Sequence, residues 1–199
     1  AEADKDFTEA LDICKELIKE DRESYEPVQA ETLNNHFNVL LKMNRIEEAE
    51  TALNRALAIY QKLSKTTQER YKPELAGTLN NRGNLFYTQN RLEEAKKDYT
   101  SSLNIRKSLE KKTPGVYELD VALTLNNRGG VYHNVNLFEE ARKDFSEALR
   151  IYGELAIEGR SGYEPEMAAT LNNRANTLSD LYRIEEAEVD VDKALTIYR

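Results

Sequence analysis

The stretch Thr-Leu-Asn-Asn at residues 78–81 decides the fold of this 199-residue chain, because the same four residue types occur four times. The other copies begin at Thr32, Thr124 and Thr170, so successive copies stand 46 residues apart. A fixed period of this length is typical of repeat proteins, in which each unit buries its apolar face only against its neighbours. We therefore expect the function to lie on a surface and not in a pocket.

The composition argues against nucleic-acid and membrane partners. Charged residues make up 32% of the chain, and the formal net charge is −8. We expect this negative field to repel nucleic acid and anionic lipid and to accept a basic or neutral protein partner. No apolar run approaches the roughly 20 residues that a transmembrane helix needs.

The N-terminal residues and the cysteine content bear on location. Residues 1–6 lack the basic leader and apolar core of a secretion signal. The single Cys14 forms no disulfide within the chain, which agrees with a reducing compartment. We therefore expect a cytoplasmic protein.

One repeat predicts two amphipathic helices joined by a tight turn. Pro73 favours a helix start, and the helix is predicted to end near Thr88. Leu79, Gly83 and Phe86 fall on one helical stripe, which predicts the buried face. The turn is predicted at an Asn that tolerates left-handed backbone angles, which the chain carries at Asn44, Asn90 and Asn136. A second helix follows, with its inward side chains at Leu92, Ala95, Tyr99 and Leu103.

These residues resemble the tetratricopeptide repeat. Its pattern is carried by Leu79, Gly83 and Phe86, then by Ala95, Tyr99 and Leu103, and the runs Leu-Asn-Asn-Arg-Gly-Asn and Leu-Glu-Glu-Ala are similar to its common wording. The period exceeds the usual 34 residues, which is similar to the kinesin light chain type of repeat. The resemblance implies an all-α fold, a right-handed α-α superhelix of antiparallel helix pairs, and a role in protein–protein interaction.

The repeat spacing predicts the organisation of the whole chain as one array. The predicted segments are a second helix of a truncated repeat at 1–24, and repeats at 25–70, 71–116, 117–162 and 163–199, the last of them truncated. Neither end resembles the polar capping element of a finished array. We therefore expect a fragment of a longer array whose uncapped ends can self-associate.

Three arginines depart from the family pattern at a place that is more often apolar. Arg82, Arg128 and Arg174 each precede an aspartate by 16 residues, whereas the repeat with His36 has Ala52 instead. Because arginine and aspartate occur together, we predict partly buried ion pairs that set packing register and add little net stability. The predicted pairs are Arg82 with Asp98, Arg128 with Asp144 and Arg174 with Asp190.

An amide-rich face of the first helices is the candidate binding surface. If these helices line the inside of the array, as the resemblance implies, this face lies about 100 degrees round from the buried stripe. The predicted peptide-binding residues are Asn34, Asn38, Asn80, Asn84, Tyr87, Asn126, His133, Asn172 and Asn176. Asparagine offers donors and an acceptor to a peptide backbone, and the Tyr and His would add selectivity.

A structural explanation of the same amides stays open. The asparagines could simply solvate an exposed helix face, although a mediocre helix former that recurs inside helices favours a role in binding. For the neighbouring Asn35, Asn81, Asn127 and Asn173 we expect structural hydrogen bonds toward the adjacent repeat.

The other chemically active residues do not form a plausible centre in the sequence. His36 and His133 are far apart and lack nearby Cys or acid clusters, so we predict no metal site. Paired glutamates at 47–48, 93–94, 139–140 and 185–186 open second helices, where negative charge stabilises the helix dipole. Phosphate-binding loops and nucleophile elbows are also lacking. We therefore expect no enzymatic activity and no cofactor.

The sequence favours a scaffold that binds a partner peptide. The alternative is an architectural or regulatory arm of a larger protein that contacts its own domains or further copies of itself. A peptide-binding surface would recur on the inner face, whereas an arm would recur only at contacts between repeats. The recurrent inner asparagines favour the first hypothesis.

Overall fold

The computed structural model describes residues 2–66 and 69–199, and in these ranges it contains nine α-helices. The first four are α1 (Glu2–Glu20), α2 (Arg22–Lys42), α3 (Ile46–Thr66) and α4 (Lys72–Thr88). The remaining five are α5 (Leu92–Lys112), α6 (Glu118–Asn134), α7 (Phe138–Ile157), α8 (Glu164–Asp180) and α9 (Ile184–Ile197). The predicted all-α fold class is confirmed.

The chain divides into two compact units, Ala1–Leu85 and Phe86–Arg199. In the first unit, α2 packs against both α1 and α3. In the second unit, α6 packs against α5 and α7, and α8 packs against α7 and α9. Within each unit, therefore, consecutive helices are neighbours in space, as in a chain of helical hairpins.

The paired helices run antiparallel, as the repeat pattern predicts. Arg128 on α6 and Asp144 on α7 hydrogen-bond to each other, and they lie at equal sequence distances before and after the turn that joins these helices. Arg174 on α8 and Asp190 on α9 do the same. Contacts that are symmetric about a short turn require the two helices to fold back on each other.

Left-handed backbone angles close each tight turn. Asn44, Asn90 and Asn136 have φ values of 58°, 59° and 59°, which confirms the predicted turn positions. In the second turn, the backbone N–H of Arg91 donates to the carbonyl of Phe86 at 2.8 Å, a bond that satisfies one of the last carbonyls of the helix. The fourth turn has Tyr182 at this place, with φ 57°, so no asparagine was present to predict it.

The predicted apolar stripes form the interior of both units. Leu79, Gly83 and Phe86 are all buried. In the second unit a buried cluster draws residues from α5 through α9, and its tyrosines Tyr152 and Tyr163 stack with ring centroids 5.5 Å apart. A small residue allows close approach at Gly129, where an added Cβ would lie 2.7 Å from Cε1 of Phe145.

In the part of the chain that the structure describes, every helix is too short or too polar to cross a membrane.

Candidate peptide-binding surface

The predicted amide side chains lie on the first helix of each pair. Asn34, Asn80, Asn126 and Asn172 occupy equivalent places on α2, α4, α6 and α8, and each is half-buried. One helical turn later, Asn38, Asn84 and Asn176 are exposed. The two rows therefore differ in access to solvent.

Two of the four half-buried amides, Asn34 and Asn126, take part in hydrogen bonds between neighbouring repeats. In the first unit, Asn81 Nδ2 donates to Asn34 Oδ1 at 3.2 Å. In the second unit, Asn173 Nδ2 donates to Asn126 Oδ1 at 3.0 Å. These bonds confirm the structural role predicted for Asn81 and Asn173. The carboxamide oxygens of Asn34 and Asn126, which we predicted to bind a ligand, thus accept hydrogen bonds from the fold itself.

The two selective residues of the predicted surface make similar contacts in the second unit. Tyr87 Oη accepts a hydrogen bond from Asn134 Nδ2 at 3.0 Å, and His133 Nε2 lies 2.8 Å from Asp180 Oδ2. Each bond joins one repeat to the next with the same spacing as the asparagine bonds, 47 residues. Two lines of polar contacts therefore connect the first helices of this unit.

Asn38 and Asn176 differ from the half-buried amides in their bonding. Both side chains are exposed, and neither makes a side-chain hydrogen bond to any residue in the described ranges. A ligand could bind these amides without displacing a contact of the fold, because their donors and acceptors face solvent.

Two of the three predicted arginine–aspartate pairs are present as two-point ion pairs in the second unit. Arg128 donates to Asp144 from Nε at 2.7 Å and from Nη2 at 2.9 Å. Arg174 donates to Asp190 from the same two nitrogens at 2.6 and 2.7 Å. Burial, the largest single influence, acts to lower the pKa of Arg128, but the hydrogen bonds to Asp144, the negative charge of Asp144 and the influence of Tyr132 together raise that pKa above its ordinary value.

The remaining guanidinium nitrogen contacts the preceding second helix. Arg174 Nη1 donates to Ser146 Oγ at 3.1 Å, and Arg128 Nη1 lies 3.4 Å from Thr100 Oγ1. Arg82 Nη1 donates to Asn54 Oδ1 at 2.7 Å in the first unit. These partners stand 28 residues before each arginine, and the polar residue at that spacing is the signal that sequence reasoning missed. The pairing of Arg82 with Asp98 stays a prediction.

The first repeat replaces this arrangement with a different one. His36 Nε2 lies 2.7 Å from Asp4 Oδ1, and Asp4 Oδ2 accepts from Arg45 Nη1 at 2.6 Å. The His36 ring also stacks on Phe7 with centroids 5.4 Å apart. The acid that the repeat lacks at Ala52 is thus supplied by α1. The bond from His36, opposed by burial and aided by Arg45, lowers the pKa of Asp4.

A buried arginine in the second unit is a further departure that the sequence did not reveal. Arg106 stands where other repeats carry the buried Tyr60 or Tyr152, and it is 8% exposed. Its Nη1 donates to the carbonyl of Asp120 at 2.9 Å and also bonds to Thr124. Burial lowers the pKa of Arg106, and Asp120 acts in the opposite direction.

The paired glutamates and the histidines form no metal-binding cluster within residues 2–66 and 69–199. The glutamates lie in the first turns of α3, α5, α7 and α9. Arg45 pairs with Glu48 and Arg183 pairs with Glu186 across three residues. Several of these acids are therefore engaged in local ion pairs at helix starts.

Sequence comparison identifies the repeat. Two sequence profiles described as tetratricopeptide repeat match the chain, one over residues 29–108 and the other over residues 121–156 and 167–199. No curated protein matches the chain.

Solved structures with the same fold differ widely in sequence. The apo form of RapI has a TM-score of 0.74 at 17% identity, covering 97% of this chain and 49% of RapI. BtubC (BKLC) from P. vanneervenii has a TM-score of 0.62 at 17% identity, and the match covers 99% of this chain and 90% of BtubC. A structure of nearly identical TPR-like repeats from a kinesin light chain of Podosopora anserina has a TM-score of 0.64 at 15% identity. The match covers 96% of this chain and 87% of that structure.

These identities are low enough that the solved structures bear on the fold alone. The sequence profiles cover more than half of the chain, and the helix pairs recur in both units. The chain belongs to the tetratricopeptide repeat family.

Proposed function

We propose that the chain is a non-catalytic scaffold that binds a peptide segment of a partner protein through amides on its first helices. Membership of the tetratricopeptide repeat family supports the general role of a protein-interaction scaffold. The observation that carries the finer proposal is the exposure of Asn38 and Asn176 one turn from amides that neighbouring repeats already hold.

Hydrogen bonding between repeats fixes the direction of two of the half-buried amides. Asn34 and Asn126 each accept through Oδ1, so the Nδ2 of each carboxamide points away from that bond. An oriented N–H donor suits the carbonyl groups of an extended peptide, whatever side chains the peptide carries. The bonds thus support both a structural role and a preorganised binding surface.

Selection among peptides is assigned to Tyr87 and His133 in the second unit. Each is half-buried and hydrogen-bonded, so its ring has a defined position. The net charge of −8 favours neutral or basic peptides over acidic ones. We therefore expect affinity from backbone contacts and selectivity from these rings and the surrounding field.

The proposal is tested by selecting peptides from a phage-displayed random library on the full chain. Binding of the selected synthetic peptides is then measured by fluorescence anisotropy for Asn38→Ala and Asn176→Ala, one variant in each unit. Loss of one hydrogen bond is worth about 1 kcal/mol, which corresponds to roughly fivefold weaker binding. The variant in the unit that holds the peptide should show this loss.

A matched control is Asn104→Ala, which removes an exposed amide from the second helix α5. This variant should bind the selected peptides as the parent chain does. Unchanged affinity in both Asn38→Ala and Asn176→Ala, or an equal loss in Asn104→Ala, would show that the amide surface is not the binding site.

A second candidate function, self-association as an architectural arm, is favoured by the apolar surface of α9. Val191 and Leu195 are 41% and 47% exposed, whereas their counterparts on α7, Phe145 and Leu149, are buried. Sedimentation of the chain and of Val191→Gln/Leu195→Gln tests this role. A dimer that the double variant abolishes supports it, and a monomer at all concentrations contradicts it.

A further inference from the structure

Two consecutive turns of the second unit depart from the repeat in the same direction. The turn between α6 and α7 carries Leu137, where the other three turns carry Arg45, Arg91 and Arg183. The turn between α8 and α9 carries Tyr182, where the others carry asparagine. Both changes replace a polar side chain by a large apolar or aromatic one. Because the rest of the chain repeats so regularly, two similar exceptions in consecutive turns indicate that apolar side chains are needed at this place.

The two turns lie side by side and expose these residues. The bond between His133 and Asp180 joins the helix ends that immediately precede them. Leu137 is 41% exposed and Tyr182 is 90% exposed, and Ile184 is 47% exposed on the same turn as Tyr182. Phe138 adds a half-buried ring that meets the His133 ring edge-on at 5.5 Å. We call Leu137, Phe138, Tyr182 and Ile184 the turn patch.

Backbone strain at Tyr182 argues that its side chain is kept for a purpose outside the fold. Its φ of 57° lies in the left-handed region, where asparagine is better tolerated than tyrosine. A side chain that is 90% exposed contributes little packing in return. Such an outlier is characteristic of functional surfaces.

Exposed acidic side chains flank the turn patch along the chain. Replacement of arginine by Leu137 leaves Glu140 with no ion pair or hydrogen bond in the described part of the chain, whereas Arg183 pairs with Glu186 in the following repeat. Glu140 and Glu185 are both exposed. The nearby Arg142 is engaged by Glu139. Arg183, which lies between Tyr182 and Ile184, is paired with Glu186. The exposed carboxylates of Glu140 and Glu185 therefore give the borders of the patch a negative charge.

We propose that the turn patch is a docking surface for a basic amphipathic segment of a partner protein. Apolar side chains of that segment would cover Leu137 and Tyr182, and its Lys or Arg side chains would meet Glu140 and Glu185. Such an arrangement of an apolar centre with a charged rim is typical of protein interfaces. A second copy of the chain is a poorer occupant, because it brings the same acidic rim and a net charge of −8.

The turn patch adjoins the predicted peptide-binding surface only at His133, whose ring contacts Phe138. None of its four residues belongs to the predicted peptide-binding set, and they lie in the turns and at the helix starts that follow them. Because its test changes Leu137 and Tyr182 and not Asn38 or Asn176, the two tests can succeed or fail independently.

The experiment measures binding of a synthetic amphipathic helical peptide, with leucine on one face and lysine on the other, to the full chain by fluorescence anisotropy. The test variant is Leu137→Gln/Tyr182→Asn, which replaces the two exposed apolar or aromatic side chains by neutral polar ones and gives residue 182 the asparagine of the other turns. We expect the variant to bind the peptide at least about tenfold more weakly, because apolar contact at the centre of the interface is lost. Tyr182→Asn also relieves backbone strain, so the variant should stay folded.

Two controls sharpen the result. Val116→Gln removes an exposed apolar side chain from a different loop and should leave binding unchanged. A peptide in which glutamate replaces lysine should bind poorly to the parent chain. Equal affinity for the two peptides, equal binding by Leu137→Gln/Tyr182→Asn, or an equal loss in Val116→Gln would overturn the proposal.

Sedimentation of the chain without peptide tests whether a second copy of the chain covers the turn patch. A dimer that is present in the parent chain and lost in Leu137→Gln/Tyr182→Asn would show that a second copy covers the turn patch. That outcome would also overturn the proposal of a basic partner.

Discussion

Arg174 and Asp190 form a two-point ion pair between α8 and α9, and Asp190 is only 1% exposed. The same guanidinium also reaches Ser146 on α7. One side chain thus links three consecutive helices of the second unit. A buried pair of this kind adds little stability over an apolar packing, but removing one partner leaves a charge without compensation.

We predict that Asp190→Ala destabilises the chain by about 3 kcal/mol, since Arg174 loses its acid in a largely buried place. Urea unfolding followed by circular dichroism measures the change. Asp192→Ala, at an exposed position two residues later, is the control and should stay within about 0.5 kcal/mol of the parent chain. Equal losses in the two variants would remove the argument for an ion pair that sets helix register.

Glycine at residue 129 is predicted to be required by the close approach of α6 and α7. In Gly129→Ala the new Cβ would meet Cε1 of Phe145 at 2.7 Å, so we expect a loss of about 1–3 kcal/mol. Gly153 on α7 has no atom within 4 Å of an added Cβ. Gly153→Ala should therefore stabilise the chain by roughly 0.5–1 kcal/mol through helix propensity. Thermal unfolding of both variants measures the two changes in stability. A gain in both variants, or a loss in both, contradicts this account.

Tyr182 is predicted to cost stability at its turn. Tyr182→Asn should stabilise the chain by about 1 kcal/mol, because asparagine tolerates the left-handed backbone better and little packing is lost. The reciprocal change Asn136→Tyr, at the equivalent place on the preceding turn, should destabilise by a similar amount. Urea unfolding measures both. A loss of stability in Tyr182→Asn would mean that the tyrosine supports the fold itself.

The periodic features of the fold were predictable from the sequence. The 46-residue period and the apolar stripes predicted the helix pairs, and Asn44, Asn90 and Asn136 predicted three turns. These predictions are correct because each feature depends on residues that are close in sequence. A left-handed turn, for example, needs only one tolerant residue after a helix.

Contacts that break the period were not predictable. Asp4 replaces the missing acid of the first repeat from α1, outside the 16-residue register that predicts the other pairs. Arg106 stands at a place that other repeats fill with tyrosine, and only the structure shows that the Asp120 carbonyl and Thr124 satisfy it. Nor did the sequence indicate that the side-chain oxygens of Asn34 and Asn126 accept hydrogen bonds from the adjacent repeat. Such contacts depend on how neighbouring helices lie in space.

Acid is predicted to weaken the docking of α1 through Asp4. The lowered pKa of this carboxyl means that its contribution to stability is fully present above its ordinary value of 3.8. The contribution is lost as the pH falls through the lowered value. We therefore expect the destabilisation caused by Asp4→Asn to be largest above the ordinary value and to shrink below it.

Urea unfolding of the parent chain and of Asp4→Asn at a series of pH values measures this change. Asp6→Asn, at an exposed place on the same helix, is the control and should show a small effect that does not change with pH. A difference between the parent chain and Asp4→Asn that stays constant throughout acidification contradicts the assignment.

The amides that bond between repeats and the exposed amides are predicted to have different roles. Asn173→Ala removes the donor to Asn126 and should cost about 1 kcal/mol of stability, because one hydrogen bond between repeats is lost. Asn176→Ala removes an exposed amide and should stay within about 0.5 kcal/mol of the parent chain. Urea unfolding separates the two variants. If Asn176→Ala proved the more destabilising, the exposed row would belong to the fold, and the proposed peptide contact would lose its main support.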